Sequence, residues 1–74
     1  MSYTQRIKDL REANDLTQEY IAHLLKTAQQ HYGQYEIGKR PLPIEQLVTL
    51  CKFYNLSADY ILGFTDEQNP LPKK

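Results

Sequence analysis

The chain is poor in cysteine and glycine, with one and three residues, and it carries no net charge. Each scarcity removes a class of protein. A single thiol, Cys51, cannot build a disulfide framework within the chain or a cysteine-rich metal site, and a free thiol fits a reducing compartment. Two histidines, His23 and His31, form no close-spaced ligand pair with each other or with the cysteine, so no metal is expected. Nine basic residues balance nine acidic ones. That argues against a uniformly basic coat, although local distribution governs nucleic-acid binding more than the sum does. The opening MSYTQRIKDL has no long apolar run and reads as neither a signal peptide nor a membrane span, which makes the cytoplasm the expected location. There is no Gly-rich phosphate loop and no pair of carboxylates in an apolar setting, so no enzyme and no cofactor are expected. A chain of 74 residues fits one small domain with a single modest core and little room for a substrate pocket.

What is present is helical periodicity. No segment alternates cleanly between apolar and polar residues, so no strand is expected. Ser2 with Gln5 three residues later reads as a capping box, followed by Tyr3, Ile7 and Leu10 on one face. Asn14-Asp15 ends that helix. Thr17 caps a second, short helix whose stripe is Ile21, Leu24 and Leu25, with Ala22 as a small residue between them. Residues 26–28 leave room only for a tight turn. A third helix runs from about Gln29 to Glu36, with Ala28, Tyr32 and Tyr35 inward, and Gly38 stops it. Pro43 suits the first turn of a fourth helix carrying Ile44, Leu47, Leu50, Cys51 and Tyr54, closed by Asn55. Ser57 caps a fifth, with Asp59 in its first turn and Ile61 and Leu62 inward, ended by Gly63. Tyr20 and Tyr60 are expected to be exposed. Residues 1–63 form the expected domain, and 64–74, polar and proline-containing, the expected mobile tail.

Gln29, Gln30 and Gln34 share one side of the third helix with Gly33. Lys26, Lys39 and Arg40 flank them in sequence. Exposed polar helix faces are the norm, so three amides alone decide nothing.

The segments Leu16-Thr17-Gln18-Glu19, Ala22, Tyr35-Glu36-x-Gly38-Lys39-Arg40 and Leu56-Ser57-x-Asp59-x-Ile61-Leu62-Gly63 decide more when taken in order and at their spacing. Together they resemble the Cro/repressor-type (XRE) helix-turn-helix family, over a span from about Ile7 to Gly63. The resemblance implies an all-α, five-helix, lambda-repressor-like domain. Its second and third helices would form the helix-turn-helix, with the third in the major groove of a double-stranded DNA operator. It implies Gln29 and Gln30 as base readers, with Gln34 next, since an amide can pair bidentately with adenine N6 and N7. Gln18 would sit beside a phosphate, and Lys26, Lys39 and Arg40 would hold the backbone. Arg11 would pair with Glu36 and be aimed toward a phosphate. His31 and Gly33 are further candidate contacts.

The sequence departs from that family where Lys26 replaces the usual turn glycine, Ala28 the usual Ser or Thr cap, and Tyr32 an aliphatic core residue. The implied function is a transcriptional regulator, a repressor, of a bacterium or prophage. It would act as a homodimer through the last two helices, with Phe53, Tyr60, Ile61 and Phe64 as candidates. The competing function is a protein-interaction module or antitoxin on the same fold, which zero net charge favours. No small-molecule substrate is expected.

Overall fold

The structure, a computed structural model, describes residues 2–68. Five helices follow one another: α1 (Tyr3–Ala13), α2 (Gln18–Leu24), α3 (Gln29–Glu36), α4 (Ile44–Tyr54) and α5 (Ala58–Leu62). No strand occurs among the described residues.

Local chemistry sets most of these bounds. Thr17 and Ser57 stand in extended backbone and accept from the backbone N–H of Tyr20 and Tyr60, at 3.0 and 3.2 Å. Each satisfies one orphan donor of its helix. Asn55 ends α4 in the left-handed region at φ 56°, and Gly63 ends α5 at φ 86°. The expected capping box at Ser2 does not form. The Ser2 hydroxyl shares a hydrogen bond with that of Thr4 (2.9 Å), and the Gln5 amide donates to Asp9 one turn on (2.8 Å). Both side chains have nearer partners than the helix start.

α2 packs against α3, α1 touches both α3 and α5, and α5 closes on α4. Ile7, Ile21, Tyr32, Leu50 and Ile61 are fully enclosed, one from each helix. Leu10, Ala22, Leu25, Tyr35, Cys51, Leu56 and Tyr60 complete the core. Three expectations about this core fail. Ala28 and Ile44 are exposed, because the N-cap and first residue of a helix lie beyond its packed span. Tyr60 is buried, because the Arg6 guanidinium lies 4.0 Å over its ring and Gln68 donates to its hydroxyl at 3.0 Å.

Arg6 is itself buried, and its Nη2 reaches Asp66 Oδ1 at 3.0 Å and the Thr65 carbonyl at 3.4 Å. The chain just past α5 thus returns to α1. Residues 69–74, the rest of the segment read as a tail, lie outside the described residues.

Candidate nucleic-acid interface

The α2–α3 connection is tight. Leu25 ends α2, and Lys26 takes the left-handed conformation at φ 57°, where the resemblance implies glycine. The Thr27 N–H then bonds back to the Ala22 carbonyl at 2.9 Å. A lysine here pays the steric penalty that glycine avoids. Ala28 is the N-cap of α3 and offers no side-chain acceptor. Thr27 does not substitute, since its hydroxyl lies 3.5 Å from His31 Nδ1.

α3 therefore starts uncapped, with Gln29, Gln30 and His31 exposed. Gln29, Gln30 and Gly33 join Gln18, the first residue of α2, around an open concavity of about 530 Å³. Gly33 makes room there, because a Cβ at that position would stand 3.3 Å from Gln18 Oε1. Gln34 lies apart. It is half-buried, and its Oε1 accepts from Arg40 Nε at 3.0 Å. Its carbonyl also accepts from the Lys39 and Arg40 backbone N–H groups, at 2.9 and 3.3 Å. One glutamine thereby organises the loop that presents both cations. Lys26, Lys39 and Arg40 are all exposed.

Beneath this surface lies a buried polar cluster. Arg11 donates to Glu36 from Nε (2.7 Å) and Nη2 (3.2 Å), and from Nη1 to the Leu16 carbonyl (2.9 Å). Its guanidinium is turned inward. Gln18 Nε2 donates to the same carboxylate at 3.0 Å. Burial works to raise the Glu36 pKa, but hydrogen bonds from Arg11 and Gln18 and the arginine charge outweigh it and leave the pKa below its ordinary value. The Tyr32 hydroxyl stands beside this carboxylate without well-formed hydrogen-bond geometry. Burial first, then the hydroxyl's approach to the Glu36 carboxylate and that group's negative charge, push its pKa far above the usual tyrosine range.

The family resemblance points to the Arg11–Glu36 pair. It does not reveal that Gln18 completes the cluster, nor that Arg6 is buried. Arg6 did leave a trace, since it falls between Tyr3 and Leu10 on the apolar side of α1.

A bihelical unit with an exposed amide edge and flanking cations defines a class. Residues 7–61 match the family described as Helix-turn-helix, and the chain belongs to that family. It is 43% identical over 68 residues to the uncharacterized HTH-type transcriptional regulator YobD of Bacillus subtilis (strain 168), covering 92% of this chain and 61% of the relative. A second relative from the same organism is YonR, an SPbeta prophage-derived uncharacterized HTH-type transcriptional regulator. Identity there is 32% over 66 residues, covering 89% and 61%. The crystal structure of a transcriptional regulator from Listeria innocua superposes with a TM-score of 0.83 at 26% identity, over 89% of this chain and 62% of that one. The chain thus spans about three-fifths of the length of these relatives.

Proposed function

We propose that the chain binds double-stranded DNA in a sequence-specific manner and regulates transcription in the cytoplasm, as a repressor, with α3 in the major groove. The observation that carries this reading is the concavity where the first residue of α2 meets the outward face of α3. It gathers Gln18, Gln29, Gln30 and Gly33, with Lys26 in the preceding turn and Lys39 and Arg40 in the following loop, all three exposed. Amides specify through base edges, and cations at the two ends of the helix position it on phosphates. In this reading Gln29 and Gln30 read bases. Gln34 acts on the backbone through Arg40, and His31 lies at the edge of the contact.

One such module buries limited area, and a palindromic operator calls for a homodimer. Tyr60 and Ile61 are core residues and cannot form its interface. α4 and α5 instead present an apolar groove of about 400 Å³ lined by Ile44, Leu47, Val48, Cys51 and Leu62. Phe64 is 79% exposed just beyond α5. We assign dimerisation to this face.

Selection of bound sites from a random duplex library tests the reading, and a salt titration on the selected site follows. A palindromic site whose affinity falls steeply with salt is expected. No binding at low salt to any duplex would overturn it in favour of the protein-interaction module, for which zero net charge speaks. Sedimentation showing monomers only, with and without the site, would remove the dimer.

A further inference from the structure

An amide side chain has two ends of nearly equal size and opposite hydrogen-bonding character. For Gln18 the fold decides which end faces outward. Glu36 has 1% of its side chain exposed and is paired with Arg11, so it is ionised and can only accept. The Gln18 atom 3.0 Å from Glu36 Oε1 is therefore the nitrogen. The oxygen is left on the other side, toward Gly33 and the concavity shared with Gln29 and Gln30. Gly33 has no Cβ to press on it, and one placed there would come within 3.3 Å.

We infer that Glu36 is a positioning residue for the DNA-facing surface: through Gln18 it fixes a hydrogen-bond acceptor in the concavity between α2 and α3, so the group met there is an amine on a base edge. This inference rests on the DNA-binding reading. In the major groove the available donors are adenine N6 and cytosine N4, whereas a phosphate oxygen can only accept. The Gln18 side chain, as held, thus presents the wrong partner to a phosphate. It serves sequence readout in place of the backbone role that the family resemblance implies. Arg11 takes part by holding the carboxylate ionised and fixed, with its guanidinium committed to Glu36 and to the Leu16 carbonyl.

The test uses the full chain and the duplex it selects from a random library. Gln18→Met keeps the length of the side chain and removes both polar ends. At one base pair the wild type is expected to prefer an amine-bearing base by roughly tenfold, the scale of a single base-edge contact, and Gln18→Met is expected to lose that preference. Replacing the base at that pair by an analogue without its amine should weaken the wild type by the same factor and leave Gln18→Met unchanged. Glu36→Gln, checked for folding by circular dichroism, should relax the preference at that pair alone. If it does not fold, Gly33→Ala displaces the Gln18 oxygen with Glu36 intact and should do the same. Uniform weakening on all duplexes by Gln18→Met would mean a phosphate contact and overturn the inference alone. An unchanged preference would overturn it equally. Failure of the wild type to select any duplex would overturn the DNA-binding reading and this inference with it.

Discussion

Arg11 holds Glu36 across 25 residues of chain by two hydrogen bonds, of 2.7 and 3.2 Å, and the carboxylate is almost wholly withdrawn from water. Removing one partner strands the other. Arg11→Met is expected to destabilise the domain by about 3–5 kcal/mol, and Arg11→Met with Glu36→Leu by less than the sum of the singles. Urea denaturation of the four proteins checks this. The Glu36 pKa is depressed in the fold. Its stabilisation is therefore complete above the ordinary value of 4.5 and is lost as pH falls through the folded value. Acid unfolding should be less steep in the double variant.

Ala28 stands in extended backbone at the N-cap of α3 with nothing to offer the first N–H groups. Ala28→Ser should add about 1 kcal/mol of stability. Thermal melts would settle it, and no gain would mean that the α3 start is satisfied in another way.

Lys26 sits at φ 57°. Lys26→Gly relieves the left-handed strain at the cost of unfolded-state entropy, for an expected net gain of up to about 1 kcal/mol. Lys26→Ala keeps the strain and should gain nothing. The same Lys26→Gly protein should bind every duplex more weakly, since it lacks a cation.

Tyr32 and Tyr54 carry buried hydroxyls without well-formed partners. Burial, then the Glu36 charge, pushes the Tyr54 pKa up to about 12. Both rings stay neutral in the fold while the unfolded chain ionises near 10.0. Stability should therefore fall as pH rises past 10.0. Tyr32→Phe should leave stability at neutral pH unchanged or raise it by up to about 1 kcal/mol, with a shallower alkaline decline. A large loss at pH 7 would show that the hydroxyl is satisfied.

Gln29→Ala should change sequence preference by about 1–3 kcal/mol at one base pair. Lys39→Ala should weaken all sequences alike and reduce the salt slope by about one. Equal, sequence-blind losses for both would mean that Gln29 reads no base. Competition binding on single-substitution duplexes distinguishes these outcomes.

The helices were legible in the sequence because their punctuation is local. Thr17, Ser57, Asn55 and Gly63 act within a few residues of themselves, and each does what its chemistry suggests. The exposed position of Gln29 and Gln30 follows from helical spacing in the same way. Among long-range relations the Arg11–Glu36 pair was legible through the family resemblance; others were not. Tyr60 looked free until Arg6, from the other end of the chain, lay on its ring. The resemblance implies a phosphate contact for Gln18 and base reading for Gln34, yet one is turned by Glu36 and the other holds Arg40. Residue type shows that an amide can donate and accept. Only the fold shows which end has been used.

The link between Arg6 and Asp66 spans 60 residues, and that distance acquires meaning during synthesis. A chain made from its N-terminus exposes Arg6 well before Asp66 has been added. Throughout that interval α1 lacks this partner, and the ring of Tyr60 that Arg6 covers has not yet been made. The anchorage of the first helix is thus completed only after α5 has been made. A ribosome stalled before Asp66 should hold a chain whose α1 is still open to a protease.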